Sequence, residues 1–239
     1  MKVKYKAHSG SDLMVVDAAR VSFDKSSQWI CKCGGEKCIP DKDYFYHCAE
    51  CGEGDKVTLS KPDRKLINYL ADHQHHSPFN HCFITMHVEA PLFVARQLVK
   101  HEYMPWNEVS GRYVTFEPEF HMPKSFRKKA VDKKQGSGKD LVDNSSLYLK
   151  MIFEDSHISS FNAYQSALRI GLCEEQAREL LPLDLMTQWY WSGTLGAWAK
   201  MYGLRSSSST QVETKEVAML AGAIVSDLYP VSWDALANG

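Results

Sequence analysis

The densest run of groups able to do chemistry is Asn107-Glu108-Val109-Ser110-Gly111-Arg112-Tyr113. A Ser-Gly-Arg turn offers a hydroxyl, approachable backbone N–H groups and a guanidinium fork. A phosphate monoester needs these donors, because charge-assisted and bidentate hydrogen bonds are the strong ones. On spacing alone a capped surface turn is the favoured reading. Arg96-Gln97-Leu98-Val99-Lys100-His101 precedes this run.

A second cluster is made of thiols. Five of the seven cysteines, Cys31, Cys33, Cys38, Cys48 and Cys51, fall in one short segment. Two short Cys pairs, each followed by glycine, suit a tetrahedral zinc site closed by four thiolates. Cys31, Cys33, Cys48 and Cys51 are the preferred ligands, with Cys38 as the substitute and His47 behind it; free thiols in a loop are the plainer alternative. A site closed in this way is structural, since catalytic zinc keeps a position open. Cys82 sits on the apolar side of an alternating run and reads as a small buried hydrophobe.

The elements that position these groups follow from periodicity. Asp63 with Leu66, Ile67 and Leu70 marks a short helix ended by Ser77-Pro78. Cys82, Ile84, Met86 and Val88 alternate with polar partners, as in a strand. Pro91 opens a helix on which Leu92, Ala95 and Val99 share a face. Leu147, Met151, Ile158, Phe161 and Leu168 mark a long amphipathic helix ending near Gly171. A short helix over Glu174 to Leu181 and a strand over Leu185 to Trp191 follow. Two further helices carry Leu195–Tyr202 and Val217–Leu228, the last stopping before Pro230. Trp189, Trp191 and Trp198 read as core or subunit interface, and His81 and His87 as structural. The order favours an α+β fold in one domain over 1–239. A Cys-rich insertion interrupts it at about 29–57 and a polar loop at about 124–145.

The chain has 239 residues, with Lys+Arg 28 against Asp+Glu 29. That near-neutral balance argues against a nucleic-acid-binding surface while leaving room for a local phosphate pocket. No apolar run reaches the roughly 18 residues a spanning helix needs. With no secretory-type apolar stretch at the start, the expectation is a cytoplasmic protein without membrane partners.

The run from Lys100-His101 through Asn107-Glu108-Val109-Ser110-Gly111-Arg112-Tyr113 resembles the signature of the flavin-dependent thymidylate synthases. Similar blocks occur in the family's order: Ala18–Phe23, His75–His81, Ala90–Gln97, Leu181-Pro182-Leu183 and Gly203-Leu204-Arg205. The tone is similar to the bacteriophage branch, which would place the protein in a host cytoplasm. The resemblance implies the fold of that family, a mixed sheet flanked by helices with long helices at the interfaces of a homotetramer. It also implies reductive methylation of dUMP to dTMP. Methylenetetrahydrofolate would supply the carbon, and FAD, reduced by NADPH, the hydride; the cofactor carries the redox chemistry while the protein supplies position and field.

Matched residue by residue, Gln97, Glu108, Val109, Ser110, Gly111, Arg112, Arg178 and Arg205 fall on substrate-binding positions. Arg205, Ser110 and Arg178 are the catalytic candidates, with Arg205 facing the pyrimidine and Ser110 positioning rather than attacking. Ser22, His75, Ser77, Lys100, His101 and Leu204 fall on cofactor positions. Departures concentrate on the flavin half. Lys100 and Glu102 replace two arginines of the signature, and Asn80 stands where an acid is frequent. Thr194, Gly196 and Lys200 stand for Asn, Arg and Asn, and Ser206–Ser209 replace a stretch carrying an acid and a histidine. Two alternatives stay open: flavin-dependent hydroxymethylation of a pyrimidine deoxynucleotide, and a zinc-ribbon nucleic-acid-binding protein.

Overall fold

The computed structural model describes residues 1–31, 33, 38–40, 46–52, 57–111, 118–131, 136–141 and 145–237, with backbone alone at 38–40, 46 and 47. Arg112, Tyr113 and the side chains of Cys38 and His47 therefore lie outside the described residues.

Ten strands occur: β1 (Lys2–Ser9), β2 (Ile30–Cys31), β3 (Cys38–Pro40), β4 (Tyr46–Cys48), β5 (Val57–Thr58), β6 (Phe83–Pro91), β7 (Trp106–Glu108), β8 (Arg127–Lys129), β9 (Ser137–Asp140) and β10 (Met186–Thr194), all among the described residues. The helices are α1 (Asp12–Arg20), α2 (Lys61–Asp72), α3 (Leu92–Leu98), α4 (Ser145–Ile170), α5 (Glu174–Ala177), α6 (Leu195–Arg205), α7 (Val212–Leu228) and α8 (Pro230–Ala237). The main sheet has the order β1-β6-β10-β7, and three two-stranded ribbons pair β2 with β5, β3 with β4 and β8 with β9. The α+β expectation holds.

Residues 1–5, 86–191 and 204–221 form one compact unit, and 6–85, 192–203 and 222–239 a second. In the first, alternation works as the sequence promised: Met86, Val88 and Ala90 are fully buried on β6, as is Trp191, with Trp189 nearly so, on β10. Lys2 and Lys4 reach Glu89 at 3.0 and 2.9 Å. On α3 the buried face is Val94, Ala95 and Leu98, while Val99 is 48% exposed, so the expected Leu92–Ala95–Val99 stripe is displaced. Pro91 is the extended N-cap rather than a first-turn residue, and Val99 falls at the C-cap, one residue past the helix end at Leu98, which takes it off the buried face. Residue 145 begins a 26-residue helix whose single buried side chain is Tyr164. Its predicted apolar face remains outside: Leu147, Met151 and Ile158 are 53% exposed or more.

In the second unit, α2 begins at Lys61 behind a Ser60 cap whose Oγ accepts from the Asp63 N–H at 3.2 Å. It ends at Asp72, short of Ser77-Pro78. Asp63 is a hub. It accepts from Arg20 at 2.6 Å, from Ser27 at 2.9 Å and from Ser60 at 2.6 Å. Burial pushes its carboxyl up, but the bonds from Ser60, Ser27 and Arg20 outweigh that and leave it below the ordinary range. α7 stops at Leu228, before Pro230 as expected, but it is not the last helix, because Pro230 opens α8. Asp12 of α1 accepts the Val231 and Ser232 N–H groups at 3.0 and 2.8 Å, supplying from a distance the cap that α8 lacks locally. Gly10 has φ +83°, and a Cβ there would meet Cys82 Sγ at 2.7 Å, so glycine is required.

The polar stretch near 124–145 is not wholly loop, since β8 and β9 form an antiparallel ribbon within it. Strands β1 and β7 carry too few alternating apolar residues to announce themselves.

Hydrogen bonds from Lys4 and Lys2 hold the Glu89 carboxyl down at about 2, below its ordinary 4.5. A depressed carboxyl stabilises the fold fully above pH 4.5 and loses that contribution as pH falls toward 2. Glu89→Gln should flatten the acid limb of stability against pH, with under ~1 kcal/mol lost per exposed pair at neutral pH. Urea midpoints measured across pH check this; an unaltered acid limb contradicts it.

Candidate active site

The signature run is positioned by strand pairing. β7 is held antiparallel on β10, with Trp189 opposite Glu108, Tyr190 opposite Asn107 and Trp191 opposite Trp106. The Val109 N–H extends the ladder to the Gln188 carbonyl at 3.0 Å. Trp106 stacks on Trp189 at 4.3 Å and meets Trp191 edge-on at 5.7 Å. These contacts fix the register, because a slip of one residue would turn Trp106 off the apolar face. Glu108 is then pinned at both oxygens. Thr187 Oγ1 donates to Oε1 at 2.7 Å and Trp106 Nε1 to Oε2 at 3.1 Å. A sequence read for chemistry finds Glu108; the threonine that orients it is separated by 79 residues and invisible to spacing.

Ser110 and Gly111 leave the strand end at the rim of a cleft of about 940 Å³. Its lining includes five expected substrate residues, Glu108, Val109, Ser110, Gly111 and Arg178. Arg178 arrives on the 3-10 turn Arg178–Leu180, and its Nε donates to Glu175 O at 3.2 Å. Its Nη nitrogens have no hydrogen-bond partner among the described residues. Arg96 also lines the cleft, exposed on α3. The sequence reading does not single it out as a ligand, although its place four residues from Lys100 on one helix face is the available signal. The cleft therefore combines two cations, a hydroxyl and a held carboxylate above an apolar floor that includes Tyr164 and Met186. That combination suits a ligand with an anionic end and a flat hydrogen-bonding body.

The other expected residues gather elsewhere. Arg205, at the end of α6, donates from Nε to His101 Nε2 at 3.0 Å and from Nη2 to the Gln97 carbonyl at 3.1 Å. The Gln97 side chain bonds Gln211 and accepts from Thr214 at 3.1 Å. None of Gln97, Lys100, His101, Leu204 and Arg205 lines the cleft. Arg112 lies outside the described residues.

The second unit carries Ser22, His75 and Ser77, all exposed. Phe23 is 75% exposed beside Ser22, and Tyr69, 51% exposed, meets His75 edge-on at 6.1 Å. Among the described residues these three side chains stand exposed beside aromatic rings of their own segments. The departures of this region cohere. Thr194 Oγ1 donates to Asn80 Oδ1 at 2.8 Å. A Cβ at Gly196 would stand 2.7 Å from that same oxygen. Asn80, Thr194 and Gly196 thus pack as one fitted set. Cys82 is unsuited to nucleophilic work: burial, then the Asp12 charge, pushes its thiol up to about 12.

The Sγ atoms of Cys31, Cys33, Cys48 and Cys51 all lie within 4.8 Å of one another. The Cys48 thiol is drawn down to about 7, chiefly by the Cys51 N–H.

The fold and cleft define an α+β enzyme with an anion-receptive site carried on an edge strand. A family model described as thymidylate synthase complementing protein, Thy1, matches residues 4–231. A flavin-dependent thymidylate synthase of Thermus thermophilus is 34% identical over 226 residues, covering 95% of this chain and 72% of that protein. That of Kosmotoga olearia is 34% identical over 231 residues, covering 96% and 86%. A crystal structure of the UMP/dUMP methylase PolB from Streptomyces cacaoi, bound with 5-Br dUMP, matches with a TM-score of 0.78 at 27% identity, covering 99% of this chain and 94% of that one. The chain belongs to the Thy1 family, the flavin-dependent thymidylate synthases. Among the described residues no helix is long and apolar enough to cross a membrane.

Thr187 is 7% exposed, and Thr187→Val keeps its shape while leaving Glu108 Oε1 without its donor. We expect a loss of ~1–3 kcal/mol in unfolding free energy by urea titration. A change within a few tenths would show that Glu108 is oriented by something else.

Proposed function

We propose that the chain methylates dUMP to dTMP, taking the carbon from methylenetetrahydrofolate and the hydride from FAD reduced by NADPH. The observation that carries this is the strand-delivered Ser110-Gly111 rim facing Arg178 and Arg96 in one cleft. Ser110 and Arg178 hold the phosphate, joined by Arg112 of the signature, while Glu108, pinned by Thr187 and Trp106, accepts from the nucleotide body. Arg205 sets a positive charge against the pyrimidine as electron density rises there, which lowers the barrier without a covalent nucleophile. Its two bonds to His101 and Gln97 O fix the plane of the guanidinium before substrate arrives. FAD, when bound, supplies two-electron reduction. Ser22, His75, Ser77, Lys100, His101 and Leu204 hold it, and Lys100 contributes a point charge rather than a fork. A structural zinc ion on the insertion takes no part in these steps.

The expected substrate residues of one chain fall into two groups, those lining the cleft and those around Arg205. A site completed by another copy reconciles them, and the uncovered apolar face of α4 supplies a surface for a homotetramer. The cytoplasm is the compartment consistent with this metabolism.

Two outcomes test the reading. Incubation with dUMP, methylenetetrahydrofolate and NADPH should yield a nucleotide heavier by one CH₂ unit in mass spectrometry. An added CH₂O unit would instead mark hydroxymethylation, and unchanged dUMP in flavin-loaded protein would refute the reading. Arg178→Ala and Arg205→Ala should each lower kcat/KM by about a hundredfold or more. Co-expression of the two variants should restore part of the activity, because mixed oligomers contain sites with both arginines intact; no recovery would place the two in one protomer's site.

A further inference from the structure

We infer that Cys31, Cys33, Cys48 and Cys51 form a closed zinc site that clasps the base of the insertion and so secures the Asp63 hub. The four Sγ atoms converge within 4.8 Å, with Cys31–Cys51 and Cys33–Cys48 each at 3.6 Å. Four sulfurs at ~2.3 Å from a tetrahedral ion stand about 3.8 Å apart, so zinc enters with little movement. Two paired thiols would need to close to ~2.05 Å for a disulfide. The local backbone is already wound for a metal. The Cys33 N–H points at Cys31 Sγ at 3.5 Å, and the Glu50 N–H at Cys48 Sγ at 3.4 Å. Gly52 follows at φ +73°, its N–H bonded to the Cys48 carbonyl at 2.8 Å. Each Cys pair therefore forms a turn that stabilises thiolate charge with backbone donors. Cys31 and Cys48 are buried and Cys33 and Cys51 exposed, which leaves an access route for the ion.

The clasp has a mechanical consequence. Cys31 lies on β2, and β2 pairs with β5 through Ile30–Thr58 and Cys31–Val57. Leu59, buried, and Ser60 lead directly from β5 into α2. Ser27, just before β2, and Ser60 both donate to Asp63, which also holds Arg20. The ion ties the two strands of chain that leave and re-enter the body at this hub. Four thiolates fill a tetrahedral zinc, which leaves no position for catalysis. The thiol protons leave to solvent as the metal binds, and no redox change occurs.

The test uses the full-length protein, expressed with added zinc and purified without chelator. Elemental analysis should give about one zinc per chain, and Co²⁺ exchange should give the visible absorption of a tetrahedral thiolate site. Cys31→Ser and Cys48→Ser should lose the ion, and Cys38→Ser should keep it. Stripping zinc should lower Tm by several degrees, with restoration on readdition. Zinc-free protein, iron in its place, disulfides in a thiol count, or equal loss of metal in Cys38→Ser would each overturn the inference. Because the metal content of the wild-type chain is read without substrate or flavin, its failure leaves the methylase reading standing, and the converse holds.

Discussion

The pairing of three residues, Trp106–Glu108, along the edge of β10 is the constraint on which the cleft depends. Two aromatic contacts and two carboxylate hydrogen bonds hold this short strand in register. An isolated strand of three residues would not persist, so the stability comes from cross-strand packing. Because side chains alternate, the same register that sinks Trp106 against Trp189 and Trp191 also carries Ser110 and Gly111 to the rim. Glu108 reports the same coupling, since one of its oxygens is satisfied by the strand's own tryptophan and the other by β10.

Around that strand the chain separates its tasks. The cleft gathers cations from α3 and from the turn after α5, while α6 ends in a guanidinium held rigid by His101 and Gln97 O. The long α4 exposes the apolar stripe that its periodicity predicted would be buried. Its own chain holds it through His157, which bonds Asp184 at 2.6 Å and stacks on Phe120 at 4.6 Å.

How much can be read from the residues alone follows physical range. Period-two alternation marks β6, because burial on one face dictates that period, and apolar residues at helical spacing mark α4 and α6. The short ribbons and β7 escape, since their residues are recruited by partners distant in the chain. Pro230 reads as a stop because proline cannot continue a helix, but at N1 it starts α8, with Asp12 as the remote cap. The Cys positions are legible because metal geometry is local, and among the described residues the four preferred thiols converge. Thr187 and Arg96 are not, because nothing in spacing ties them to Ser110. That Asn80, Thr194 and Gly196 form a single fitted set is also beyond spacing, since a hydrogen bond and a close approach across the fold make it.

The most direct measurement is a crystal structure of the assembled enzyme soaked with dUMP. We expect the phosphate bonded to Ser110 and Arg178 of one protomer and the pyrimidine facing Arg205 of a second. A nucleotide bound away from the Ser110-Gly111 rim, or enclosed by a single protomer with Arg205 turned elsewhere, would contradict the shared site.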